Sequence, residues 1–200
     1  MGDDRPDPAG AGAGEHPGVD DPNTDPDDDP DDEPGGAPAS EAEPASLTHT
    51  DEAGRAGMVD VGAKPDVERR AVARGEVRLR PGTVAAVREG AVGKGDVLAV
   101  ARVGAIQAVK RTWDTIPLCH QIPITNVDAA FDVREDRVVC TVAVETTGKT
   151  GCEMEALCGV TTGLNVVWDM VKAAEKDADG QYPDTRITDV HVVEKVKERV

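Results

Sequence analysis

Much that would announce a function is missing from this sequence. No apolar run approaches the length of a membrane span, and no charged segment leading into an apolar stretch marks a leader. The four cysteines, Cys119, Cys140, Cys152 and Cys158, form no C-x-x-C pair and no ligand cluster of zinc-finger spacing. A cytoplasmic protein with reduced thiols, no membrane contact and no metal centre is the expectation. There is no G-x-G-x-x-G, and Gly148-Lys-Thr-Gly151 is not a P-loop, which needs a glycine where Ala143 stands. Positive charge is also short. A net charge of −17 gives no support to nucleic-acid binding, which runs on Lys and Arg neutralising phosphates. A small anion held by a local cluster of bases stays compatible with it.

The acidity is concentrated at one end. Residues 1–46 carry fifteen Asp and Glu against the single Arg5, whereas residues 47–200 carry twenty-four acids against twenty-one bases. The first segment is Asp, Pro, Gly and Ala with almost no large apolar side chain. Such a composition buries too little surface to offset the entropy of ordering, so 1–46 reads as a disordered acidic tail. A tail of this kind would serve as a solubility device at high salt. Residues 47–200 read as one folded domain.

Within that domain the pattern alternates between strand and helix signals. Ala71–Arg80 has the period of a half-exposed strand with a break at Gly75. Pro81 and Gly82 open a short helix ended by Gly90, and Asp96 caps a second helix that runs from Val97 toward Thr112. Ala99, Ala101, Val103, Ala105, Ala108 and Val109 give that helix a small face. Pro117 stops it, and Cys119-His120 follows on a short extended piece. Two strands carry apolar faces at Val127–Val133 and Val138–Val144, joined by a turn at Glu135-Asp136. Cys140 lies in the apolar register, so packing is its expected task. A long helix spans about Glu153–Lys176, with Met154, Leu157, Cys158, Thr161, Leu164 and Val171 as its stripe. Ile187–Val193 is a last strand. The order predicts an α+β domain, an antiparallel sheet with helices packed on one face.

The chemistry sits in charged residues at loop edges and helix ends. Lys110-Arg-Thr-Trp-Asp-Thr-Ile-Pro-Leu-Cys-His120 alone gathers a lysine, an arginine, an aspartate, a thiol and an imidazole. Lys94, Lys149 and Lys172 stand in similar places, beside Glu153, Glu155 and Asp169. Lysines bind phosphates as point charges, and desolvation or cationic neighbours lower their pKa toward acid–base use. A polyphosphate ligand undergoing proton transfer suits this set. Asp169 and Lys172, three apart on one helix, share a face. Glu155 and Asp169, by contrast, lie roughly 21 Å apart along that helix, too far for one small pocket. If both serve one function, another subunit completes the site or the two groups hold separate ends of a large ligand.

Eight short blocks occur in one order: Leu47-Thr-His, Met58-Val-Asp-Val61, Lys94-Gly-Asp-Val97, Lys110-Arg-Thr, Ile116-Pro-Leu-Cys-His120, Gly148-Lys-Thr-Gly151, Glu153-Met-Glu-Ala-Leu157 and Asp169-Met-Val-Lys172. The series resembles the cyclic pyranopterin monophosphate synthase (MoaC) family of molybdenum cofactor biosynthesis, over about residues 47–195. The resemblance implies a ferredoxin-like subunit assembled as a homohexamer, a trimer of dimers, with sites at subunit interfaces. It implies a lyase that rearranges a 3′,8-cyclised dihydroguanosine triphosphate to cyclic pyranopterin monophosphate and releases pyrophosphate. It further implies that Lys94 and Lys172 are the acid–base lysines, with Asp169 orienting Lys172. Arg69, Lys110 and His120 would hold the triphosphate and Glu153 and Glu155 the purine-derived end, with Cys119, Met154 and Lys195 also in the binding set. No cofactor is implied beyond a divalent cation accompanying the triphosphate. One departure stands out: the family continues past its last strand as Lys-x-Gly-Gly-Lys-Ser-Gly, and this chain reads Lys195-Val-Lys-Glu-Arg-Val200.

Two other classes compete. One is a non-catalytic triphosphate-binding or assembly subunit, against which the presence of Lys94, Asp169 and Lys172 argues. The other is a Cys119–His120 thiol enzyme. Adjacent residues on an extended piece point to opposite faces, whereas a thiolate–imidazole pair must meet.

Overall fold

The computed structural model describes residues 55–198. The acidic tail 1–46 and the block Leu47-Thr-His-Thr-Asp51 lie outside the described residues. From there the elements are β1 (Val67–Arg78), α1 (Pro81–Arg88), α2 (Val97–Val109), α3 (Thr112–Thr115), β2 (Ile124–Val133), β3 (Arg137–Gly148), α4 (Glu153–Glu175) and β4 (Arg186–Glu198). The strands form one antiparallel sheet in the order β2-β3-β1-β4. This is the split βαβ arrangement of a ferredoxin-like α+β fold, as expected.

Local chemistry accounts for the joints. Pro81 occupies the first turn of α1, where its missing N–H costs nothing, and Gly90 leaves the helix with φ of 65°. The Asp96 carboxylate accepts from the Ala99 N–H at 3.0 Å and caps α2. At the β2–β3 turn, Arg134 N–H donates to the Arg137 carbonyl at 2.9 Å. The α2 helix ends at Val109, before Pro117, and Thr112–Thr115 form a separate turn of helix. Pro117 and Leu118 then lie in a tight turn closed by Cys119 N–H on the Ile116 carbonyl, so the extended piece expected there begins only after the turn.

Three expectations about packing need correction. The strand does not break at Gly75: β1 pairs without interruption with β3, and the irregularity falls on its register with β4. Gly75 is needed for close approach, since a Cβ there would lie 2.8 Å from Val190 and 2.9 Å from Val160. The buried side of α2 is Val97, Ala101, Ala105 and Val109, a strict four-residue repeat, while Ala99 and Val103 face outward. The stripe of α4 is also rotated from the one predicted. Ala156, Val160, Leu164, Val167 and Val171 are buried, whereas Met154 and Thr161 are exposed and Leu157 and Cys158 half-buried. Glycines carry part of the true face: Gly159 sits against Val109 and Val142, and Gly163 against Phe131, Ala105 and Cys140. A hydrophobicity pattern scores glycine as neutral, so the closest contact between α4, α2 and the sheet is invisible to it.

The core lies between the sheet and the helices, with Leu164, Val77, Val142, Val144 and Val160 fully enclosed. Each such side chain contributes roughly 1.5–3 kcal/mol of burial. Cys140 is part of this core, as its register implied, and burial pushes its thiol up to about 12. Among the described residues the Glu175 side chain, at the end of α4, is wholly enclosed and accepts from Thr185 Oγ1 at 2.5 Å and from the Arg80 N–H at 3.1 Å. It ties the end of α4 to the starts of α1 and β4, and so fixes where the last turns of α4 lie.

Candidate functional site

Two groups of candidate side chains form against α4, one near each end. The first is built on Asp169. Lys94 occupies the tight turn between α1 and α2, where Gly95 takes φ of 102°. Its Nζ reaches across to α4 and donates to the Asp169 carbonyl at 2.7 Å and to Oδ2 at 3.2 Å. Lys172 Nζ donates to the other carboxylate oxygen, Oδ1, at 2.7 Å. One carboxylate thus holds two ammonium groups side by side at the surface. Hydrogen bonds from Lys172 and Lys94 hold the Asp169 carboxyl below its usual range, and Asp169 in turn raises the Lys172 pKa. The sequence reading anticipated lowered lysines. In the folded chain the hydrogen bond and charge of Asp169 outweigh desolvation, and Lys172 is kept protonated. A smaller apolar cavity of about 280 Å³, lined by Val92, Met170 and Val171, lies behind Lys94.

The second group surrounds a pocket of about 660 Å³ at the N-terminal end of α4. His120, Cys119, Glu153, Met154, Glu155 and Lys195 all line it. His120 Nε2 lies 2.9 Å from the Val59 carbonyl, an acceptor only, so Nε2 carries the proton. Glu153 folds back over Gly151, filling the space where any Cβ at 151 would stand, and pairs with Lys195 from β4. Burial works to raise the Glu153 carboxyl, but the Lys195 hydrogen bond, its own N–H and the charges of Lys195 and Arg69 outweigh it. Glu155 has no such partner. Burial, helped by the charge of Glu153 and opposed by its own backbone N–H, pushes it up to about 7.

The Gly148–Gly151 loop that forms one wall is pinned from two sides. Arg69 donates from Nε to the Gly148 carbonyl at 3.1 Å and from Nη2 to that of Lys149 at 3.3 Å. Lys149 Nζ reaches the Gly62 carbonyl at 2.5 Å. Arg69 therefore acts on the pocket through the loop and is not among its lining residues. Lys110 is exposed at the end of α2 and joins neither group.

The thiol reading fails, though not for the reason first given. After the Ile116–Cys119 turn, Cys119 and His120 do line the same pocket. Burial and then the charges of Glu155 and Cys158 raise the Cys119 thiol. That environment is the opposite of an activated thiolate.

Sequence reasoning missed Lys64, Val59, Val61 and Thr150 as pocket residues. Val59 and Val61 fall in the block Met58–Val61 and Thr150 in Gly148–Gly151, where neither type of side chain announces a ligand, and Lys64 lies outside every block. Among the described residues no group of His, Cys, Asp or Glu is arranged to hold a metal ion, and no helix is long and apolar enough to cross a membrane.

Residues 58–198 match the model of the MoaC family. A probable cyclic pyranopterin monophosphate synthase of Natronomonas pharaonis is 72% identical over 156 residues, covering 78% of this chain and 98% of the relative. One of Halobacterium salinarum is 73% identical over 152 residues, covering 76% and 93%. A protein of Methanothermobacter thermautotrophicus, 54% identical over 151 residues and covering 76% and 94%, is described as a probable accessory protein of that synthase.

Proposed function

This chain belongs to the MoaC family, and from that premise we infer that it catalyses the cyclic pyranopterin monophosphate synthase reaction of molybdenum cofactor biosynthesis. The substrate of that reaction is (8S)-3′,8-cyclo-7,8-dihydroguanosine 5′-triphosphate, and the products are cyclic pyranopterin monophosphate and pyrophosphate. The observation that carries the reading is the Lys94–Asp169–Lys172 group. Two lysines drawn together from different elements suit a step in which a hydroxyl attacks the α-phosphorus, the bond to pyrophosphate breaks, and charge grows on the leaving oxygens. Asp169 orients both lysines. Lys172, held protonated, is the natural proton donor, and Lys94 takes the opposite role once substrate displaces its bond to Asp169.

The binding set divides by chemistry. His120 and, from the exposed end of α2, Lys110 supply donor or positive groups for the triphosphate, Arg69 holds the Gly148–Gly151 loop in place beside it, and Glu153, Glu155, Cys119, Met154 and Lys195 form the pocket for the ring portion. A divalent cation would ride with the triphosphate itself. The separation of the two groups along α4 favours a site shared between subunits of a homohexamer. Exposed Val100, Val103 and Trp113 on α2 and α3, and Val190 and Val193 on β4, are surfaces such an assembly would cover. The working compartment in this reading is the cytoplasm.

The test is product analysis of the purified full chain with the cyclised triphosphate, following cyclic pyranopterin and pyrophosphate together. Formation of both, lost in Lys94→Ala and Lys172→Ala, is the expected result. Tight binding with no product in the unaltered protein would instead favour a non-catalytic triphosphate-binding or assembly role. The accessory description of the Methanothermobacter relative keeps that second reading in view.

A further inference from the structure

Glu153 and Glu155 open the same helix two residues apart, yet the fold gives them opposite characters. Glu153 is paired with Lys195 and lies in the field of Arg69. Glu155 lines the same pocket with only 4% of its surface exposed and makes no ion pair among the described residues. Its own backbone N–H favours the ionised form, but no side chain around it is paired to a charge there. Its own helix contributes the Glu153 carboxylate and the Cys158 thiol, with Cys152 just before. The turn after α3 contributes Cys119, and His120 with its Nε2 proton committed to Val59. On β4 Lys195 is taken by Glu153, and on β1 the guanidinium of Arg69 is turned onto the carbonyls of Gly148 and Lys149. Lys64, from the segment before β1, lines the pocket without pairing to either glutamate.

We propose that Glu155 receives the ligand as a neutral carboxylic acid and donates a hydrogen bond to a ring carbonyl, while Glu153 stays ionised and accepts from ring N–H groups. The identity of the ring rests on the lyase reading above. A guanine-derived ring presents a carbonyl oxygen beside an N–H and an amino group. Two carboxylates facing that edge would set a negative oxygen against the carbonyl. An acid and a carboxylate match it donor to acceptor and acceptor to donor. The burial that pushes Glu155 up to about 7 keeps the acid form available near neutrality.

The experiment measures binding of GTP, as a non-reacting probe with the same carbonyl, N–H and amino edge, to the full chain across neutral pH. Affinity of the unaltered protein should fall as pH rises through about 7. Glu155→Gln keeps a donor of the same shape and should bind at every pH about as the unaltered protein does at low pH. Glu155→Ala and Glu153→Gln should each weaken binding about tenfold, the loss of one charge-assisted or buried hydrogen bond. Equal losses in Glu155→Gln and Glu155→Ala would overturn the proposal, because they would make Glu155 an ionised acceptor. A carbon-13 titration of the Glu155 carboxyl with its midpoint near the ordinary glutamate value would overturn it independently. GTP binding needs no turnover, so a protein that fails as a lyase can still decide the state of Glu155.

Discussion

Lys94 Nζ donates to both the backbone carbonyl and the carboxylate of Asp169, a residue 75 positions further along the chain. Because the carbonyl belongs to α4 itself, the lysine is positioned by the helix as well as by the charge. Asp169→Asn should keep that anchor, since the backbone carbonyl remains, while removing the charge that raises Lys172. The Lys172 pKa then falls, and the high-pH limb of the rate profile moves to lower pH. Turnover is expected to drop by about a hundredfold, the lower end of what a well-placed acid or base contributes, with the circular dichroism spectrum unchanged. A profile that does not move would separate Asp169 from the acid–base function of Lys172.

Glu175 offers a stability test away from both groups. Its carboxylate is fully enclosed and accepts from Thr185 and Arg80. Glu175→Ala strands a hydroxyl and a backbone N–H and leaves a cavity. A loss of about 3 kcal/mol in a urea titration is expected. Glu175→Gln, which keeps the shape and an acceptor oxygen, should cost less.

The glycines of α4 should tolerate little. A Cβ at Gly159 would sit 2.8 Å from Val109 and 3.0 Å from Val142, inside contact distance of both the neighbouring helix and the sheet. Helix propensity favours Gly→Ala by about 1 kcal/mol, but overpacking costs about 1–3 kcal/mol, so Gly159→Ala should come out destabilising on balance. Thermal unfolding with the melting temperature unchanged or raised would show that α4 has room to shift.

Glu155 should also write itself into stability as a function of pH. Its folded pKa, about 7, lies above the ordinary 4.5, so between those values the native chain holds a proton that the unfolded chain has released. Stability from this group is therefore full below the lower value, declines as pH rises across the window, and is level above it. The total is about 3 kcal/mol for a shift of this size. Glu155→Gln removes the decline, so the difference in melting temperature between variant and parent should grow from pH 4.5 to 7 in favour of the variant. A constant difference would mean that Glu155 is ionised in the native state.

The element order was legible because its signals are local. Pro81, Asp96, Gly90 and the alternation of Val138, Cys140, Val142 and Val144 each act on the few residues around them, and an antiparallel sheet with helices on one face follows from the order they define. Most of the motif residues were legible as a set: His120, Cys119, Glu153, Met154, Glu155 and Lys195 do surround one pocket, and Lys94, Asp169 and Lys172 do meet, whereas Arg69 and Lys110 line neither place. The helix faces were less legible. The predicted stripe on α4 followed side-chain hydrophobicity, whereas the real one is decided by how closely Gly159 and Gly163 let α2 and the sheet approach.

By itself, then, the sequence determined the order of strands and helices, the family, and which residues are candidates for chemistry, since all three depend on residue type and spacing along the chain. Only the tertiary structure decided the electrostatic state of those residues. Glu153 and Glu155 are the same amino acid in the same turn of helix, and nothing local separates them. Lys195, 42 positions after Glu153, arrives with β4 beside one and not the other, leaving Glu155 buried without a cation. Charge is stabilised by what lies within a few ångströms in space, and for this pair the fold alone brings that neighbour into place.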